Sequence, residues 1–290
     1  MNRLLKPLLL VILMLFGQVV PAWALGVSDF VSVADSASGA LYNPAGLVSL
    51  ENKNFLIEYR FSGRDLAMGW DDLLIYSVAE SRGTGALYVA RSQDLIGIQL
   101  YSRYLTLGYS YGWQASENIA LGVAAKFSNY GIYNKYTGSF VKEIDSKDFL
   151  LDFGLVAEVT DSFKVGLAIH NIGRDDSIQT LNYQSTVGCS YTFDNKLVIA
   201  AEIYDFLNEG KSGPNPIEGS LLRLGARVNI GEYLRIHAVA EEDLDDWDYS
   251  GRMFGVELDN QNISVGASWY QGEGSFIDDE LIQVTINYKF

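Results

Sequence analysis

The sequence predicts an all-β fold, a 14-stranded antiparallel transmembrane β-barrel preceded by an amino-terminal plug segment. Three observations carry that prediction. The first is the stretch 280–290, in which Ile282, Val284, Ile286, Tyr288 and Phe290 fall on one side of an extended strand. Gln283, Thr285, Asn287 and Lys289 fall on the other, because side chains alternate faces along a strand. Its length matches the nine to eleven residues, roughly, that a tilted strand needs to cross a bilayer. The second is that the same alternation recurs along the chain. The third is that the breaks between these stretches alternate between very short and longer, as they do in outer-membrane barrels with short periplasmic turns.

The chain opens differently. Arg3 and Lys6 precede the apolar run 8–16, and Ala22-Trp23-Ala24 fits a small-x-small cleavage pattern, so residues 1–24 are expected to be an export signal peptide. No cysteine follows that site, which argues against a lipoprotein. Residues 25–51 lack period-two alternation, are rich in small side chains and carry the turn signal Asn43-Pro44. They are expected to form a compact coil with one or two helical turns. Residues 52–290 are expected to be the barrel.

Alternation and turn spacing place strands at 52–62, 71–81, 83–91, 101–115, 118–130, 147–159, 163–171, 181–193, 196–206, 218–230, 233–242, 249–260, 262–271 and 280–290. In the fourth, Leu105, Leu107, Tyr109, Tyr111 and Trp113 oppose Thr106, Gly108, Ser110, Gly112 and Gln114. The longer connections are expected at 131–146, 172–180, 207–217, 243–248 and 272–279. Leu95–Leu100 is read as part of a loop, since a separate strand there would break the even count that puts both barrel ends on one side.

Composition agrees. Tyr numbers 18 and Gly 28 against 5 Pro, which suits long strands, since Pro cannot donate to a ladder. The net charge is −15, and removing Arg3 and Lys6 makes it −15 − 2 = −17, so nucleic acid, which needs a basic footprint, is not an expected partner. One cysteine, Cys189, excludes an internal disulfide or multi-cysteine metal site. No cofactor is expected. The chain lacks a Walker loop, a dinucleotide fingerprint and a His pair on a helix, so no enzyme is expected either.

With apolar positions turned to lipid, the lumen receives Lys126, Asp152, Glu158, Lys164, His170, Glu202, Arg223, Arg227, Arg235, His237 and Glu257. Arg223, Arg227, Arg235, His237, Glu202 and Glu257 cluster on neighbouring strands. They are either a self-paired network satisfying interior charge or a stripe that holds the carboxylate of an amphipathic ligand, for which Arg is suited. The run Glu241–Asp248 is expected to be a solvated extracellular loop; it lacks the spacing of a calcium loop. Trp113, Tyr191, Trp269 and Tyr288 are expected in interfacial girdles.

The segment 34–38 (Ala-Asp-Ser-Ala-Ser) leading to Asn43-Pro44-Ala45-Gly46-Leu47 resembles the amino-terminal plug of the FadL-type long-chain fatty-acid transporter superfamily, which includes PorV/PorQ and TraF-like proteins. The resemblance implies fourteen strands and a plug in which Asp35, Asn43, Pro44 and Gly46 take part. The aromatic Phe290 likewise resembles the terminal residue that the outer-membrane assembly machinery reads. The expected location is the outer membrane of a diderm bacterium after Sec-type export, surrounded by outer-membrane lipid. The resemblance implies an uptake channel for hydrophobic or amphipathic small molecules such as fatty acids. Its lateral opening depends on a strand kink, for which Gly251, Gly255 and Gly266 are candidates. A non-transporting PorV/PorQ- or TraF-like scaffold is the alternative, favoured by the short chain, and a secreted soluble β protein is a third.

Overall fold

A computed structural model describes residues 29–62, 69–80, 83–96, 100–134, 140–173, 184–204, 220–244, 249–260, 262–274 and 278–290. The expected signal peptide therefore lies outside the described residues. The fourteen strands are β1 (Asn54–Ser62), β2 (Gly69–Glu80), β3 (Gly83–Ile96), β4 (Leu100–Ser116), β5 (Ile119–Asn134), β6 (Phe140–Glu158), β7 (Phe163–Ile172), β8 (Gln184–Phe193), β9 (Leu197–Tyr204), β10 (Leu221–Ile230), β11 (Leu234–Asp243), β12 (Tyr249–Asp259), β13 (Ile263–Gly274) and β14 (Asp278–Lys289). Each pairs antiparallel with its chain neighbours, and β1 pairs with β14 from Asn54↔Lys289 to Ser62↔Leu281, closing the barrel. Closure leaves no sheet edge to be satisfied by solvent or another chain.

Period-two alternation produces the two faces as expected. Outward side chains include Leu107, Tyr109, Phe127, Phe153, Phe254 and Trp269, all of them exposed. Inward ones are polar or small, such as Glu58, Ser110, Asp152, Glu202, Arg223 and Arg227, all of them buried. The short rim is built from tight turns. Asp194 and Asn195 adopt φ of 47° and 55°, and Lys196 N–H returns to the Phe193 carbonyl at 2.9 Å. Positive φ at both central residues matches the twist of the flanking strands, and Asn and Asp tolerate it best after Gly.

Several sequence-based boundaries need correction. Leu95 and Ile96 end β3 and Leu100 opens β4, with Leu95↔Tyr101 and Ile96↔Leu100 paired, so these three residues are strand rather than loop, and residues 97–99 lie outside the described set. The connection expected at 131–146 is mostly strand, because β5 and β6 continue pairing through Tyr133↔Phe140. Glu241–Asp243 belongs to β11 and not to an acidic loop, with Glu241 and Asp243 buried on the inner face. Residues 245–248 of that run lie outside the described set.

Pairing runs without a register shift across Gly251, Gly255 and Gly266 in β11–β12 and β12–β13. Register shifts fall instead at Gln114/Ser116, Gly131/Tyr133 and Leu151/Phe153.

Candidate functional site

Residues 29–50 run against inward-facing side chains of the wall. A helical turn, α1 (Gly39–Tyr42), is followed by a 3-10 helix at Pro44–Ser49. Asn43 joins the two. Its Oδ1 accepts the Ala45 amide at 3.1 Å, capping the 3-10 helix, and Pro44 supplies the fixed φ that suits the first helical position. Its Nδ2 donates to the carbonyls of Val31 at 2.6 Å and of Leu155 on β6 at 3.1 Å. A fully buried amide thus satisfies the segment and the wall together.

Charge pairing holds the other end of the segment. Arg227 on β10 donates to both oxygens of Asp35, Nη1 at 2.9 Å and Nη2 at 2.6 Å, in the bidentate geometry that favours arginine. Glu202 on β9 accepts the Val31 amide at 2.9 Å. Further contacts run from Ser110 Oγ to the Ala40 carbonyl at 2.6 Å and from His170 Nε2 to the Tyr42 carbonyl at 3.1 Å. Asp29 accepts from Ser38 Oγ inside the segment. Burial, reinforced by the Glu58 carboxylate and opposed by Ser38, Arg60 and Arg223, pushes the Asp29 carboxyl up to about 7.

Apolar contacts supply the remaining adhesion. Phe30, fully buried, packs with Val198, Ala200, Val239, Met253 and Tyr270. On the opposite side Ala37, Ala40 and Leu47 pack with Leu56, Leu73, Ile75, Ala86 and Tyr88. Both wall patches are inward-facing.

Sequence reading missed the residues that make room for this segment. Gly112, Gly122 and Gly154 are direct cross-strand partners on β4, β5 and β6, and Gly166 pairs with Gly188 on β7 and β8. A Cβ at Gly112 would overlap the Pro44 carbonyl, at Gly122 the Ala45 amide nitrogen, at Gly154 the Asn43 side chain and at Gly166 the Val31 carbonyl. The glycines form a flat track in the inner wall on which the segment's backbone lies. A signal was present, since all five occupy the inward phase of their strands, but their alignment depends on cross-strand register.

The clustered residues Glu202, Arg223, Arg227, Arg235, His237 and Glu257 face inward and divide among four sets of contacts. Arg223 sits between Glu202 and Glu241, 2.5 Å from the latter, with its guanidinium 5.0 Å from the Phe30 ring centroid. Arg235 pairs with Glu257 at 3.3 Å and Asp259 at 2.6 Å, and Asp259 also pairs with Lys289 at 2.6 Å, at the short-turn rim. His237 Nε2 lies 3.1 Å from Ser268 Oγ. Arg223 is thus engaged by two wall carboxylates and Arg227 by the segment's Asp35, which favours the self-paired reading of this cluster. Asp35 and Asn43 contact the wall through their side chains, while Pro44 and Gly46 belong to the 3-10 helix, Gly46 close against Ala34.

No known protein-family pattern matches the chain, and no curated protein matches it in sequence. Solved structures do match in fold. The Pseudomonas putida toluene transporter TodX superposes with a TM-score of 0.70 at 12% identity, covering 93% of this chain and 99% of that one. The CymD monoaromatic hydrocarbon channel gives 0.67 at 12%, covering 88% and 93%. A Pseudomonas aeruginosa FadL homologue gives 0.62 at 12%, covering 91% and 96%. The chain has the fold of the FadL-type barrels.

Proposed function

We propose that this chain is an outer-membrane channel for the uptake of hydrophobic or amphipathic small molecules, closed at rest by residues 29–50 acting as a plug. One observation carries the reading. Among the described residues, apolar patches of the inner wall are covered by apolar side chains of the inner segment, Phe30 on one, Ala37, Ala40 and Leu47 on a second, and Ala45 on a third. When the segment leaves, those patches face a water-filled lumen, where an apolar ligand takes the place of Phe30 and Leu47. Burying such surface is favourable whichever molecule supplies it. The outward apolar and aromatic face suits lipid, and the barrels of like fold are described as transporters and channels of toluene and monoaromatic hydrocarbons.

Equilibrium binding of toluene and of a long-chain fatty acid to the detergent-solubilised protein tests this. Phe30→Ala is expected to bind both more tightly than wild type, because it vacates the patch formed by Val198, Met253 and Tyr270. Absence of binding to either protein would refute the uptake reading. It would favour the second one, a non-transporting PorV/PorQ- or TraF-like scaffold, which the pairing of Arg223 with two wall carboxylates supports. The Phe290 ring lies 5.3 Å from Tyr288 and 6.4 Å from Tyr76 on the outer face.

A further inference from the structure

The arginine that faces Phe30 is not fully satisfied by its carboxylates. Arg223 donates through Nη1 to Glu202 Oε1 and through Nε to Glu241 Oε1, the latter at 2.5 Å. Glu202 spends its second oxygen on the Val31 amide. Glu241, the cross-strand partner of Arg223, spends its second oxygen on nothing. Arg223 Nη2 and Glu241 Oε2 are both buried and both without a hydrogen-bond partner among the described residues. The two side chains are only 8% and 3% exposed, so water does not readily fill the gap. Tyr270, which packs in the Phe30 cluster, has a buried hydroxyl in the same condition. Buried polar atoms are ordinarily bonded, because each left unmade carries the cost of its desolvation.

A free donor and a free acceptor on one ion pair restrict what completes them. A carboxylate satisfies Arg223 Nη2 but sets a like charge against Glu241. An ammonium satisfies Glu241 and is repelled by Arg223. A hydroxyl donates and accepts at once and carries no charge, so it serves both.

The apolar part of the site is given by what now fills it. The Arg223 guanidinium carbon stands 5.0 Å from the centroid of the Phe30 ring, a cation over a π-face, and Val198, Met253 and Tyr270 close around that ring. A ring gains from the cation, whereas an alkyl chain does not. From this geometry we infer that the Phe30 pocket is a site for a neutral hydroxylated arene, a phenol, whose ring replaces Phe30 and whose hydroxyl bridges Arg223 and Glu241. The inference rests on the uptake reading for how the pocket is vacated, and it narrows that reading to one ligand class. The pocket itself is accessible directly in Phe30→Ala protein.

Toluene, p-cresol and p-toluate share one methylated ring and differ in carrying nothing, a hydroxyl or a carboxylate. Their equilibrium binding to detergent-solubilised Phe30→Ala protein separates the possibilities. A merely apolar hollow prefers toluene, because a hydroxyl must give up its water to enter. The phenol site is expected to hold p-cresol about tenfold more tightly than toluene, with p-toluate weaker than p-cresol. Adding Arg223→Lys keeps a cation between the two carboxylates but removes Nη2, and adding Glu241→Gln replaces the carboxylate by a neutral amide of the same shape. Each is expected to lower the p-cresol-to-toluene ratio about tenfold. A ratio of two ligands on one protein is independent of the folded fraction, and its change between variants is independent of partition into micelles.

P-cresol no tighter than toluene, p-toluate tighter than p-cresol, or a ratio indifferent to both added substitutions would overturn the inference. Toluene that binds Phe30→Ala more tightly than wild type, without an advantage for p-cresol, leaves the uptake reading standing and defeats the phenol site. A p-cresol advantage in Phe30→Ala together with wild-type protein that binds none of the three upholds the site and defeats uptake. Phe30→Ala protein that binds none of them defeats both.

Discussion

Replacing Asn43 by Ala removes the side chain that ties the segment to itself and to β6. Three hydrogen bonds disappear, to the Val31 carbonyl at 2.6 Å, the Leu155 carbonyl at 3.1 Å and from the Ala45 amide at 3.1 Å. Two are buried and the one to Leu155 is part-buried; at about 1 kcal/mol net each, the seated state loses about 3 kcal/mol. The ratio of seated to unseated segment then falls by about two powers of ten. The barrel's own ladder is untouched, because no wall side chain changes. Proteoliposome efflux of a small sugar is expected to rise steeply for Asn43→Ala, with unchanged heat-modifiable mobility on a gel. Asn43→Asp should leak at least as much, since it keeps the acceptor but turns a carboxylate on two carbonyls. Wild-type efflux from Asn43→Ala would refute the claim that this amide seats the segment.

Other perturbations follow from the same contacts. Gly122→Val drives a side chain into the Ala45 amide and Pro44, and it should open the channel without lowering the barrel's melting temperature in detergent. Arg223→Ala leaves Glu202 and Glu241 buried without their shared cation, and denaturant titration should show a loss of about 3 kcal/mol of stability. In the seated state burial raises the Asp29 carboxyl to about 7 from an ordinary 3.8. The seated segment therefore binds the extra proton, and this contribution is complete below about pH 4 and fades as pH rises through about 7. Asp29→Asn should remove that part of the pH dependence in efflux measurements.

The wall was legible because period-two alternation is a local property. Tyr109 against Ser110 or Ile286 against Asn287 announces its face without knowledge of any partner. Strand ends were less so, since Tyr133 and Phe140 belong to strands only through each other, and a hairpin tip reads like a loop until pairing is known. Glu241 misled for a related reason. Next to Glu242 and Asp243 it reads as solvated charge, yet it turns inward to an arginine eighteen positions earlier. The inner segment's partners were invisible in kind, because Arg227 meets Asp35 across 192 residues and five glycines align only once the register is fixed. What the sequence offered there was the Asn43-Pro44 turn and an inward phase for each glycine.

The claim on which all of this turns is that residues 29–50 lie inside the closed barrel in the membrane. Paired cysteines at Ala40 and Ser110, where the serine hydroxyl now reaches the Ala40 carbonyl at 2.6 Å, test it in intact cells lacking Cys189. The account predicts a disulfide that forms under mild oxidation and holds the channel silent until reduced. A barrel that is heat-modifiable but never forms the bridge, or that conducts equally with the bridge intact, would contradict it.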